Sequence, residues 1–163
     1  MNAIETSALT QITRTKVSAP TKFLVDNGCV WGDILHYGEG KAFADRDALA
    51  TLGEVYSYEP NSKDRNFLPI RSWDFGVANY VLNTLPPESR RDALYDMYYR
   101  CSYSYITVRT DKVNGTPFED GVLTSKGTFQ TQLNADQWLE WAHQYLRARI
   151  FHKTSWYVIL EVW

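Results

Sequence analysis

Apolar residues recur along this chain in two rhythms. Asp33 to Tyr37, Val55 to Glu59, Phe75 to Tyr80, Tyr103 to Arg109, Ala148 to His152 and Trp156 to Val162 are short runs rich in β-branched and aromatic residues, and each predicts a strand. Between them the spacing lengthens to that of helices. A short helix is predicted beside the first strand, with Ser18 near its start, Pro20 in its first turn and Gly28 as its stop. A second runs from about Lys41 to Leu52 and is closed by Gly53. Pro86-Pro87 opens a third, reaching about Arg100, with Ala93, Leu94, Met97, Tyr98 and Cys101 on one face. The fourth begins at a capping box, Asn134-Ala-Asp-Gln137, followed by Trp138, Trp141, Ala142, Tyr145 and Leu146 at helical spacing.

Two stretches break the rhythm. The interval from Glu59 to Asp74 holds Pro60, Pro69 and a polar series, and is too short for a crossover helix and a strand. A third strand is therefore expected only as a vestige over Phe67 to Ile70, without the helix before it. Asp111 to Thr128 has no period and is punctuated by Asn114-Gly115, Pro117, Asp120-Gly121 and Lys126-Gly127, which predicts a long functional or mobile loop. Strands and helices otherwise alternate and end in a hairpin. That is the plan of an α/β fold, an open and mostly parallel Rossmann-like sheet with helices on both faces and a C-terminal antiparallel hairpin. Residues 1–12 read as a flexible arm, and 1–163 as a single domain.

Composition narrows the classes of function. A chain of 163 residues buries roughly two thirds of the surface its unfolded form exposes, so its core needs no staples. A net charge of −2 with interspersed signs leaves no strong nucleic-acid footprint. Cys29 and Cys101 form neither a metal pair nor a disulfide framework, which suits a reducing cytoplasm. There is no apolar run of membrane-spanning length and no signal-peptide pattern, so neither membrane insertion nor secretion is expected.

The candidate chemistry gathers at His36-Tyr-Gly-Glu-Gly-Lys41, a turn between a strand and a helix. Glycines there let a ligand approach the backbone, and the amides beyond them point outward. A dinucleotide pattern, Gly-x-Gly-x-x-Gly, would need glycine at Phe43; Gly-x-Gly-x-Gly would need it at Ala42, the milder departure. Glu59, at the end of the second strand and followed by Pro60, is placed to accept ribose hydroxyls, unless it is an ordinary solvated acid. The end of the following long strand offers Asn79 and Tyr80 as wall residues, and Arg109 ends the next. Asp120 and Phe129 flank the long loop and are candidate substrate contacts.

His36 to Lys41 with Glu59-Pro60 resembles the first motifs of class I S-adenosylmethionine-dependent methyltransferases. The resemblance implies S-adenosylmethionine as cofactor, held by His36, Tyr37, Gly38, Glu39, Gly40, Lys41, Glu59 and Pro60. Asn79, Tyr80 and Arg109 would lie near the transferring methyl group, with no metal required. The family pattern has an acid where His36 stands; Glu39 is one replacement for it, and His36 is otherwise a core histidine. Arg14 or Lys16 could meet the methionine carboxylate. A narrower resemblance, on Arg14 to Pro20, Tyr80-Val-Leu-Asn83, Val108-Arg109 and above all Phe118 to Gln130, is to methyltransferases found near DNA phosphorothioation systems and their short phage and bacterial relatives. It implies methyl transfer to an unidentified acceptor; His36, Ala42 and the shortened third-strand region favour instead a catalytically inactive relative that acts as a binding or regulatory protein with a protein partner. The Asn/Asp-Pro-Pro-aromatic signature of nucleic-acid amino methylation is absent, because Asn83 is separated from Pro86-Pro87 and no aromatic follows.

Overall fold

Successive side chains of a strand leave opposite faces of its sheet, so strands covered on both sides bury nearly every residue. Burial follows that rule in a computed structural model of the chain, which describes Leu9 and residues 15–41 and 43–163. The expected arm, apart from Leu9, lies outside the described residues, as do Arg14 and Ala42. In chain order the main sheet is built from β1 (Gly32–Tyr37), β2 (Gly53–Tyr58), β3 (Trp73–Asn79), β4 (Cys101–Arg109) and a C-terminal pair. From residue 15 onward the α-helices are α1 (Ala19–Asp26), α2 (Ala44–Leu49), α3 (Pro87–Arg100) and α4 (Ala135–His143). Strands β5 (Thr116–Phe118), β6 (Gly121–Leu123) and β7 (Phe129–Thr131) form a small sheet of their own, and β8 (Ala148–Lys153) and β9 (Tyr157–Val162) end the chain.

The six-stranded sheet has the order β2-β1-β3-β4-β9-β8. Strands β1 to β4 pair in parallel, and β9 runs antiparallel between β4 and β8. This is the mostly parallel α/β sheet with a C-terminal antiparallel hairpin that the pattern predicts. One face buries Leu35, Ile106 and Leu160 against Leu94 and Met97 of α3 and Trp138 and Ala142 of α4. The other buries Ile34, Val77 and Ile159 with Leu24 of α1 and Leu49 of α2. The α4 capping box forms as expected, with the Gln137 amide donating to Asn134 Oδ1 at 3.0 Å and the Asn134 amide donating to Gln137 Oε1 at 2.9 Å. Trp138 and Trp141 lie on its buried face, while Tyr145 and Leu146 fall beyond its end.

Four expectations are corrected. Helix α2 is shorter than Lys41 to Leu52, and Gly53 opens β2 rather than capping the helix; a Cβ there would stand 2.1 Å from the Gly32 carbonyl oxygen. The third strand is absent rather than vestigial. Phe67 and Ile70 are exposed, and the carbonyls of Phe67 and Pro69 accept from the Tyr56 hydroxyl and the Arg100 guanidinium instead of a ladder, leaving β2 at the sheet edge. Residues 111–128 are not without structure, because β5 and β6 lie within them and pair antiparallel with β7. Tyr98 is part-exposed rather than core, since α3 turns that position away from the sheet.

Arg90 fastens the small sheet to the domain. Its side chain is fully buried, lies over the rings of Trp138 and Trp141, and donates to both Asp120 oxygens at 2.6 and 3.0 Å. It also donates to Thr131 Oγ1 and to the carbonyls of Leu82 and Leu85. A buried cation is tolerated only when its donors are matched, and removing one partner of such a pair is costly. Arg90→Ala is therefore expected to lower the unfolding free energy by roughly 3 kcal/mol or more in urea titration. An unchanged midpoint would mean that other contacts hold the small sheet.

Candidate functional site

Open α/β sheets bind ligands outside the carboxyl ends of their strands, where loops leave a crevice. Here a cavity of about 360 Å³ opens at the ends of β1, β2, β3 and β4. His36, Tyr37, Gly38, Glu39, Gly40, Glu59, Pro60, Asn79, Tyr80 and Arg109 all line it. Lys41, Asp120 and Phe129 do not. Lys41 points to solvent, Asp120 is taken by Arg90, and Phe129 is buried in the small sheet with its ring edge-on to Phe118. Lys16 is exposed and does not line the cavity.

The glycine turn is shaped by two left-handed residues, Gly38 at φ 73° and Gly40 at φ 74°. A Cβ on Gly38 would come within 2.4 Å of Val81, so only glycine suits the position. Glu59 closes the turn from the neighbouring strand. Its carboxylate is 4% exposed and accepts from the Gly40 amide at 2.8 Å, the Asn61 amide at 3.0 Å and Asn61 Nδ2 at 3.1 Å. Three neutral donors leave acceptor capacity on the two oxygens.

Glu39 is not a free replacement for an acid at position 36. Its side chain is fully buried and paired with Arg65, with Arg46 3.8 Å away, and Arg65 also donates to the Gly40 carbonyl. Both guanidinium groups lie over the Phe43 ring. His36 is 2% exposed and its Nδ1 has no hydrogen-bond partner among the described residues. Burial pushes its pKa down to about 4, opposed by Asp45 and reinforced by Arg65 and Arg46. The ring is neutral near pH 7.

Asn79 is locked rather than loose. Its Nδ2 donates to Thr21 Oγ1 at 2.7 Å, Asp45 Oδ2 at 3.2 Å and Ser18 Oγ at 3.4 Å, and its Oδ1 accepts from Thr107 at 3.0 Å. Tyr80 follows in a left-handed conformation, φ 61°, its amide bonded to the Thr107 carbonyl. For a bulky residue that conformation costs about 1–3 kcal/mol and is found most often at functional sites. Arg109 pairs with Asp111, and the contact holds the guanidinium above and the carboxyl below their ordinary pKa ranges.

Asp45, Asn61, Asn83, Asp111, Gln130 and Trp156 also line the cavity, and sequence reasoning missed them. Asn83 is buried, donates to Gln130 at 3.1 Å and keeps its Oδ1 unpaired among the described residues. Only Asp45 carried a signal, as an acid in the first turn of a helix. Among the described residues no group of three or more His, Cys, Asp or Glu could hold a metal ion, and no helix is long and apolar enough to cross a membrane.

The sequence matches no protein-family model and no curated protein. Solved structures match its fold. A Burkholderia thailandensis 1,6-didemethyltoxoflavin N1-methyltransferase with bound S-adenosylhomocysteine is 10% identical, with a TM-score of 0.65 over 97% of this chain and 78% of that one. DhpI in complex with S-adenosylhomocysteine is 16% identical, with a TM-score of 0.57 over 89% and 83%. The chain has the class I methyltransferase fold. A Rhodobacter sphaeroides chain provisionally described as a zinc-dependent alcohol dehydrogenase also shares it, at 12% identity, with a TM-score of 0.68 over 99% and 98%. Fold does not carry function, so chemistry has to be argued from the site. None of these structures carries the phosphorothioation association.

The neutral His36 makes stability depend on pH. Its folded pKa lies below the ordinary histidine value, so the unfolded chain takes up a proton first as pH falls from about 6.5 towards 4. Stability is lost across that window. Between pH 7 and pH 5 the native protein is expected to lose roughly 2 kcal/mol more than His36→Asn in urea unfolding. Equal losses would show that His36 is charged in the folded state.

Proposed function

We propose that the chain binds S-adenosylmethionine in this cavity and transfers its methyl group to an acceptor that enters beside Tyr80, Asn83 and Arg109. The observation that carries the reading is Glu59, a nearly buried carboxylate held against the glycine turn by the Gly40 amide at 2.8 Å. Ribose hydroxyls are donors of the kind its remaining lone pairs can take. Bound S-adenosylhomocysteine in neighbours of the same fold supports the choice of ligand. S-adenosylmethionine supplies an electrophilic methyl group for in-line displacement, a reaction that depends on alignment and on the protonation state of the acceptor. The chain's own part is to orient. Glu59 and the glycine turn would hold the adenosyl half, Asn79 is fixed by its four hydrogen bonds, and the strained Tyr80 backbone sets the wall at the reacting end. The pairing of Arg109 with Asp111 keeps that end without a net charge from these two residues.

A second reading, binding without turnover, is favoured by one observation: His36 takes the place of an acid, while Glu39 is committed to Arg65. Conversion of S-adenosylmethionine to S-adenosylhomocysteine in the presence of cell extract or nucleic acid separates the two. The narrower resemblance suggests a phage or host-defence setting, and the two unpaired cysteines suit the cytoplasm. Gln130 is the only residue of the Phe118 to Gln130 stretch that reaches the cavity, and the exposed β5 is the part of the small sheet offered to a macromolecular acceptor or a protein partner.

Glu59→Gln is expected to weaken S-adenosylhomocysteine binding about tenfold or more, and Glu59→Ala further, in calorimetric titration. Both variants should keep native circular dichroism. Unchanged affinity in both would remove Glu59 from the ligand and with it the main support for the reading.

A further inference from the structure

An open sheet ends in two edge strands, and each presents amides and carbonyls that a further strand could join. In the six-stranded sheet these are β8 and β2. Strand β8 is guarded: its register shifts at a bulge between Ile150 and His152, and the exposed Arg149 and Lys153 stand on it. Strand β2 has none of these devices. It pairs with β1 without a register shift, carries no proline, lysine or arginine, and has Glu54 as its one charge. Its Val55, Tyr56 and Tyr58 are residue types that favour pairing.

Hydrogen bonds show which groups the β2 edge offers. In a strand the amide and carbonyl of one residue point to one side, and those of the next residue to the other. The Tyr58 carbonyl turns inward and accepts from the Gly38 and Glu39 amides at 2.7 and 3.3 Å, whereas the Glu59 amide turns outward to the Arg65 carbonyl at 2.8 Å. Alternation therefore turns Gly53, Val55 and Ser57 outward. The segment after Glu59 covers only the end of the strand, and the outward backbone groups of these three residues have no partner among the described residues. Beside the edge stands Phe67, 69% exposed, whose carbonyl accepts from the Tyr56 hydroxyl.

We propose that β2 pairs antiparallel with β2 of a second copy of this chain, about a two-fold axis at Val55, joining two sheets into one. A two-fold axis between antiparallel strands stands perpendicular to the sheet, so residues meet others of their own face and the axis passes through a residue rather than between two. At Glu54 it would set two carboxylates against each other. At Tyr56 it would set Gly53 against Glu59, whose amide is already taken. At Val55 it sets Val55 against Val55, Gly53 against Ser57 and Glu54 against Tyr56, and every outward amide and carbonyl of the strand finds a partner. Axes further along shorten the overlap. An interface built on so short a strand lies at the low end of stable sizes, which corresponds to association in the micromolar range. The pairing goes beyond the methyl-donor reading and does not depend on it.

Sedimentation of the full chain across the micromolar range tests the proposal. The expected result is an average mass that rises with concentration from that of one chain towards that of two. Ser57→Pro removes an outward amide and spares the ladder to β1, so it is expected to stay monomeric with native circular dichroism, while Ser57→Ala associates like wild type. A wild-type chain that stays monomeric throughout overturns the proposal, as does a Ser57→Pro variant that associates like wild type, because the contact then lies elsewhere. If Ser57→Pro does not fold, cross-linking decides. In a Cys29→Ser background, Val55→Cys sets two thiols across the axis with Cα atoms about 5.5 Å apart, within disulfide reach, and is expected to oxidise to a linked dimer faster than Lys153→Cys on the other edge. Equal rates at the two edges overturn the proposal.

Discussion

The bond from the Gly40 amide to the Glu59 carboxylate is the contact on which the carboxyl edge of the sheet is organised. It joins the turn after β1 to the end of β2, two strands that already run side by side in register from Gly32 to Tyr37. A carboxylate this buried survives only if donors surround it, and the chain supplies them from both sides, Gly40 before and Asn61 after. Because no strand among the described residues lies outside β2, the segment after Glu59 has to provide the cover that a further strand and helix would otherwise give. It does so with Asn61 on Glu59 and Arg65 on Glu39 and the Gly40 carbonyl. The compressed connection is thus part of the site's wall.

Charge is sorted in the same economical way. Cations near the cavity are spent on particular acids: Arg65 on Glu39, Arg109 on Asp111 and, behind the wall, Arg90 on Asp120. What remains on the lining is negative and is held by neutral groups. The helices on the α1 and α2 face bring Ser18, Thr21 and Asp45 onto Asn79, so the interior network and the cavity wall share residues. Rigidity of the wall and recognition by it are therefore coupled. A substitution at Asn79 would be felt by both helices before any ligand was present.

The strands and the well-capped helix were legible because their signals are local. The capping box at Asn134 acts over three residues, and each main strand carries its own β-branched or aromatic run. The glycine turn and Glu59 were also legible, since glycines after a strand and an acid at the end of the next are spaced by the fold itself. The remainder depends on distant partners. Nothing near Glu39 in sequence announces Arg65, and nothing near Asp120 announces Arg90, so an acid that reads as available is in each case already paired. Phe129 reads as a site aromatic but fills the small sheet, whose three-residue strands are too short to show alternation. Phe67 to Ile70 reads as a strand from its apolar residues, yet Pro69 and the side-chain bonds to its carbonyls keep it out of the ladder.

The account stands on one geometric claim, that an adenosyl ligand lies across the Gly38 to Gly40 turn with its ribose on Glu59. A crystal structure of the chain grown with saturating S-adenosylhomocysteine tests it most directly. The predicted result is density in the cavity with both ribose hydroxyls within hydrogen-bonding distance of the Glu59 carboxylate and the sulfur turned towards Tyr80 and Asn83. Density elsewhere on the surface, or a ligand in the cavity whose ribose lies away from Glu59, would contradict it.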